Sequence, residues 1–161
     1  MTVHYTPGQL RSVARIAPET YRHWKKTLSP LRRDRGHSPC FTPGDLVAVA
    51  VVRTLSGELG MRVSLLTAIA DPLFELCNSA PWPTLERGKL LIDLPQGRVE
   101  YRPELPEKPI DGLTIVIPLR LIVQQLRDQL LTANEAPEQQ TLLFPLTAVP
   151  LPATSTARGR S

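Results

Sequence analysis

Cysteine and aromatic residues are scarce in this chain. Its 161 residues include two cysteines, Cys40 and Cys77, with three Phe, two Trp and three Tyr. Two cysteines cannot build a disulfide framework or a metal cluster within one chain, which argues against a disulfide-stapled domain and against a cysteine-rich metal sensor. Long apolar runs are also missing. The longest, Leu46–Val52, has seven residues, against the ~20 that a membrane-spanning helix needs. The opening Met1-Thr2-Val3-His4-Tyr5 lacks the basic-then-apolar order of a secretory signal. A cytoplasmic protein with no membrane partner is therefore expected. There is no Gly-rich phosphate loop, no Gly-x-Ser-x-Gly elbow and no His/Cys/carboxylate set at ligand spacing. The expectation is no enzyme, hence no catalytic residue, no cofactor and no metal.

Proline, by contrast, is abundant, with 17 residues, about twice ordinary usage. That favours short elements with hard stops over a bundle of long helices. Charge is unevenly placed. Residues 1–62 hold ten Lys/Arg against four Asp/Glu, or +6, and all three histidines; residues 63–161 hold nine against eleven, or −2. A basic head of this kind is suited to an anionic partner such as nucleic acid.

Residues 5–10, Tyr-Thr-Pro-Gly-Gln-Leu, are nearly repeated at 41–46 as Phe-Thr-Pro-Gly-Asp-Leu. Each reads as a helix start. Thr6 or Thr42 caps, Pro7 or Pro43 takes the first helical position, and Gln9 or Asp45 closes a capping box. Tyr5 and Phe41 are placed to staple onto Leu10 and Leu46. The spacing predicts a first helix over about 7–15 with Leu10, Val13 and Ala14 inward. A second runs over 18–28, opened by Pro18 and Glu19, with Tyr21, Trp24 and Leu28 as its buried stripe. Arg22, His23, Lys25 and Lys26 occupy the opposite face. Two short helices joined by a few residues have helix-turn-helix proportions. The loop 29–40 carries Arg32, Arg33 and Arg35 and is broken by Pro30, Gly36 and Pro39. A third helix is expected over about 43–56. A fourth, capped by Ser64, should run over 65–70 and restart at Asp71-Pro72.

After a linker at 80–83 the period changes. Lys89–Leu94, the turn Pro95-Gln96-Gly97 and Arg98–Arg102 read as a β-hairpin. Leu113–Ile117 reads as a strand, and Pro118 opens a last helix with Leu119, Ile122, Val123, Leu126 and Leu130 on one stripe. From Asn134 the prolines and small residues predict a Pro-rich, mostly disordered tail. Its Leu142-Leu143-Phe144-Pro145-Leu146 is a candidate docking segment for a protein partner.

The order of helix, turn, helix, basic loop, helix and helix is that of a winged helix-turn-helix, and three motifs sharpen it. Pro18-Glu19-Thr20-Tyr21-Arg22-His23-Trp24 resembles the recognition-helix signature of MerR-type DNA-binding domains. Phe41-Thr42-Pro43-Gly44-Asp45-Leu46 resembles that family's entry to its third helix, and Leu59-Gly60-Met61-Arg62-Val63-Ser64-Leu65-Leu66 the start of its fourth. Together they cover about residues 5–77. The resemblance implies that 18–28 enters the major groove and that 29–40 is the wing on the flanking backbone, with Thr20, Arg22, His23, Lys25, Lys26, Arg32, Arg33 and Arg35 on double-stranded DNA. The chain departs from the family at Pro39, where an arginine is usual, and at Leu28-Ser29-Pro30, where Gly-Leu-Leu is usual. It also lacks the long dimerisation helix.

The fold class expected is therefore α+β: a winged helix-turn-helix domain over 1–79, a small hairpin/strand/helix unit over 80–133, and a flexible tail over 134–161. The apolar surface of 113–130 exceeds what so small a unit can hide, which predicts a homodimer. The function expected is a sequence-specific transcriptional regulator, nucleoid-associated in the cytoplasm. Two other readings stand beside it: an excisionase-like or architectural DNA-binding accessory protein, and a protein-interaction adaptor that has lost DNA binding.

Overall fold

Thr6 opens helix α1 (Pro7–Ala14) with both bonds of a capping box. Its hydroxyl accepts from the Gln9 N–H at 3.2 Å, and the Gln9 side-chain oxygen accepts from the Thr6 N–H at 2.8 Å. A computed structural model describes residues 3–33 and 36–135 of the chain; the expected tail docking segment and most of the expected tail lie outside them. Helix α1 ends on Arg15, held in the left-handed region at φ 55°. The Arg15 N–H donates to Ser12 O and the Ile16 N–H to Arg11 O, the bond pattern of a Schellman stop, with Ile16 buried behind it. Three residues later Pro18 starts α2 (Pro18–Thr27), which buries Tyr21 and Trp24 and hands on to the fully buried Leu28.

The segment after α2 is not all loop. Ser29–Arg33 forms a turn of 3-10 helix that buries Leu31. It is held by a bond from the Ser29 hydroxyl to Asp71 Oδ1 at 2.7 Å. The second Thr-Pro-Gly segment then opens α3 (Pro43–Arg53) with the same capping box, at 3.2 Å and 2.8 Å. The two starts also pair with each other. Tyr5 and Phe41 form an antiparallel bridge, with Tyr5 N–H to Phe41 O at 2.7 Å and Phe41 N–H to Tyr5 O at 3.1 Å. Helix α3 is buried almost all round, as its seven-residue apolar run requires, and ends in a π turn over Thr54–Glu58.

The expected restart at Asp71-Pro72 does not occur. A 3-10 turn, Val63–Leu66, leads directly into one continuous helix, α4 (Thr67–Ser79), with Pro72 inside it. Proline removes the N–H that would bond the carbonyl four residues back, here that of Ala68. The Gly97 turn lies over this freed oxygen, close enough that a Cβ on Gly97 would stand 3.2 Å from it. Asp71 is not a cap, because its carboxylate takes the Ser29 hydroxyl. The expected linker contains a single turn, α5 (Trp82–Leu85), anchored by the Trp82 indole N–H donating to Pro43 O at 3.0 Å.

The hairpin forms as expected, from β1 (Lys89–Asp93) and β2 (Arg98–Arg102), with β3 (Ile115–Pro118) antiparallel on the other edge of β1. Leu90 faces Tyr101 on one side and Ile117 on the other. Pro118 closes β3, and α6 (Leu119–Glu135) follows at once. The architecture is thus mixed α and β, six helices and a three-stranded antiparallel sheet among the described residues. Helix α6 packs on α1 and α3, so Leu119, Ile122, Val123 and Leu126 are buried by the same chain. The stripe that argued for a homodimer is therefore covered internally. Buried side chains from Leu10 to Leu126 form one connected cluster, which crosses the sequence boundary at residues 79–80.

Candidate nucleic-acid interface

Helix α2 separates its two faces cleanly because its apolar residues recur at helical spacing. Tyr21 and Trp24 fix it to the core, while Thr20, Arg22, His23 and Lys26 are exposed and Lys25 is half-buried. No side chain caps its N-terminus; Pro18 occupies the first turn with Glu19. The Arg22 guanidinium donates to Glu19 at 2.8 Å, and both side chains are largely in water. Such an exposed pair contributes about 0.5 kcal/mol or less, so Arg22 can exchange Glu19 for a phosphate at little cost.

Arg32, exposed on the following turn, reaches back to α2. Its Nη2 donates to the Lys26 carbonyl at 2.9 Å, capping an orphan C-terminal carbonyl and setting a cation beside Lys26. Arg33 behaves differently, although its sequence neighbourhood is the same. Its Nη2 donates to Asp45 Oδ1 at 2.7 Å, its Nε donates to Pro30 O at 3.0 Å, and its guanidinium lies 5.9 Å from the centroid of the Phe41 ring. Arg33 thus has an internal partner, and Arg35 lies outside the described residues. Thr20, Arg22, His23, Lys25, Lys26 and Arg32 are gathered on α2 and the turn behind it. Between Leu28 and Cys40 no strand forms among the described residues, so the segment read as the wing is not a strand pair there.

Asp45 is the residue whose weight sequence reasoning missed. It is fully buried, and its carboxylate accepts from Arg33, from the Thr42 N–H at 2.8 Å and from Asn78 Nδ2 at 2.9 Å. Asn78 also donates to Phe74 O at 2.8 Å and accepts from the Thr42 hydroxyl. One carboxylate thus ties the basic turn, the start of α3 and the end of α4 together. Its role in the capping box was readable from Thr42-Pro43-Gly44-Asp45, but partners 12 and 33 residues away left no local signal. Next to it, burial pushes the Cys77 thiol up to about 12, with the Asp45 charge adding to the shift. Cys77 is a packed, unreactive thiol, and Cys40 is a half-buried free one.

Among the described residues, no group of three His, Cys, Asp or Glu is placed to hold a metal ion, and no helix is long and apolar enough to cross a membrane. No protein-family model, curated protein or solved structure matches the chain.

Proposed function

We propose that this protein binds double-stranded DNA through α2 and the turn behind it, as a transcriptional regulator of winged helix-turn-helix type similar to the MerR family. One observation carries the reading. Helices α1 and α2 are joined by a three-residue turn, and the outer face of α2 offers Thr20, Arg22, His23 and Lys26 to solvent with Arg32 locked at its end. A helix of ten residues, rigidly backed by Tyr21 and Trp24, has the size and stiffness to enter a major groove. Lys25, Lys26 and Arg32 would hold phosphates and set register, while Thr20, Arg22 and His23 would face base edges. The proposal includes a homodimer reading a two-fold site, with an interface other than the buried stripe of α6, and a nucleoid-associated location.

Fluorescence anisotropy with duplexes selected from a random pool tests this reading. Wild-type protein should bind with a steep salt dependence. Arg22→Ala should weaken the selected sequence by about 1–3 kcal/mol and relax its specificity. Lys26→Ala should weaken all duplexes alike. Equal affinity of wild type and the Arg22→Ala/Lys26→Ala double variant for the selected duplex would overturn it.

The internal bonding of Arg33 and the lack of a strand pair among the described residues of 29–40 favour one rival, an interaction adaptor of similar fold without DNA binding. That rival predicts no duplex binding at low salt.

A further inference from the structure

Six cations of the sheet and the helices beside it fall into two sets. Arg98 bonds Asp93 at 3.3 Å, Arg102 bonds Glu100 at 3.0 Å, and Arg127 bonds Glu86 at 3.0 Å. Arg87, Lys89 and Arg120 make no such bond among the described residues, and all three line one groove of about 540 Å³. They come from three places: the second residue after the α5 turn, the first residue of β1 and the first turn of α6. The Leu119 N–H donating to Gly88 O at 3.1 Å ties these places together.

The groove is electropositive for two further reasons. Its single carboxylate, Glu86, is already matched by Arg127. The first turn of α6 contains no acidic residue, so the positive end of a 17-residue helix opens beside Pro118 and Arg120, with Glu86, drawn to Arg127 and Arg120, the one carboxylate in the lining. Arg87 and Arg120 are exposed and Lys89 is half-buried, so an anion entering the groove has three cations on its walls. Arginine prefers anions that it can meet with two parallel N–H bonds, as a phosphate allows. The volume lies in the ~300–1,000 Å³ range of small-ligand sites, with room for a phosphate and the group attached to it.

We propose that the groove of Arg87, Lys89 and Arg120 binds a phosphate group. Two sources share that chemistry, a free phosphate-bearing small molecule and the phosphodiester backbone of duplex DNA. The site is separate from α2, and its phosphate arm does not depend on the function proposed above.

The test uses the full chain and a triple variant, Arg87→Gln/Lys89→Gln/Arg120→Gln, with Arg120→Gln alone in reserve should the triple variant fail to fold. Inorganic phosphate is titrated calorimetrically at low ionic strength, and a short duplex is titrated by anisotropy across a salt series. Wild type should bind at least one of them saturably, with affinity reduced tenfold or more in the variant. Loss of phosphate binding with duplex binding intact identifies a free ligand. A salt slope shallower by about three, with phosphate not competing, identifies the backbone. Wild type that takes neither probe, or a variant that matches wild type with both, overturns the proposal. The outcomes stay distinct from failure of the α2 reading, because Arg22→Ala/Lys26→Ala tests α2 alone and leaves the phosphate titration unchanged.

Discussion

Gly8 and Gly44 occupy the same position in the two Thr-Pro-Gly starts, and substitution by alanine should have opposite effects on them. Both glycines lie in the first turn of a helix with ordinary negative φ, where alanine is worth about 0.5–1 kcal/mol over glycine. A Cβ on Gly8 would meet nothing nearer than the Thr6 hydroxyl at 3.8 Å, so Gly8→Ala should stabilise by up to about 1 kcal/mol. A Cβ on Gly44 would stand 2.5 Å from Asn78 Oδ1 and 2.6 Å from the Cys77 carbonyl. Ordinary contact starts at 3.4 Å, so α3 and the end of α4 would have to part by nearly 1 Å. Overpacking of this kind costs about 1–3 kcal/mol. The same movement stretches the Asn78 bond to the buried Asp45 carboxylate, and a bond to a charged group is worth about 1.5–3 kcal/mol. After the propensity gain, Gly44→Ala should destabilise by about 2–4 kcal/mol. Urea denaturation followed by circular dichroism reads both variants at unchanged m-value. Asn78→Ala in the Gly44→Ala background should not restore stability, because the Cys77 carbonyl is backbone. A Gly44→Ala midpoint at or above wild type, or full rescue by Asn78→Ala, would refute the reasoning.

Arg33→Gln should cost about 1–2 kcal/mol of stability, because the buried Asp45 loses its charged partner while Arg33 itself is half in water; it should leave duplex affinity closer to wild type than Arg32→Gln does, as denaturation and anisotropy will show. Gly97→Ala should destabilise by about 1–2 kcal/mol, since Gly97 sits at φ 62° with the Ala68 carbonyl 3.2 Å from any Cβ. A thiol reagent at pH 8 should titrate one equivalent in the native protein, Cys40, and a second only on unfolding, since a thiol at about 12 is thiolate in roughly one molecule in ten thousand. The Glu86 carboxyl is held below the usual carboxylate range, chiefly by its hydrogen bond from Arg127. Its depressed value in the folded state stabilises above the unfolded value of about 4.3 and the effect is lost as pH falls through the folded value, so the stability gap between wild type and Arg127→Gln should close on acidification.

What was legible in the sequence was local. Thr6 with Gln9 and Thr42 with Asp45 announce their capping boxes within four residues. Leu94-Pro95-Gln96-Gly97 announces its turn, and the stripe from Leu119 to Leu126 announces the buried face of α6. What was not legible depends on partners far along the chain. Pro72 should end a helix by local rules, yet α4 continues through it where the Gly97 turn covers the freed Ala68 oxygen. Ser29–Arg33 looks like open loop until Asp71 and Asp45 supply its anchors. The α6 stripe looked like a surface awaiting a second copy, because nothing in residues 113–130 reveals that α1 and α3 cover it. The candidate interface divides in the same way. Exposure of Thr20, Arg22, His23 and Lys26 follows from helical spacing alone, whereas the internal engagement of Arg33 required the fold.

That engagement changes how the charge of the N-terminal segment should be counted. The +6 of residues 1–62 suggests a strongly electrostatic binder, but charge steers a phosphate only where the side chain can leave its present partner cheaply. Arg22 can, because Glu19 is as exposed as it is and screening already weakens the pair. Arg32 keeps most of its guanidinium outward while one nitrogen holds the Lys26 carbonyl. Arg33 cannot, because releasing Asp45 would leave a buried carboxylate short of its charged donor. On the proposed reading, Arg22, Lys25, Lys26 and Arg32 are the most that the described residues of α2 and its turn could bring to phosphate, which bounds their salt slope at about −4. The capping box that makes Asp45 a good helix start is what takes Arg33 out of that count. Local stability of α3 and electrostatic reach of the basic turn are therefore set against each other through a single carboxylate.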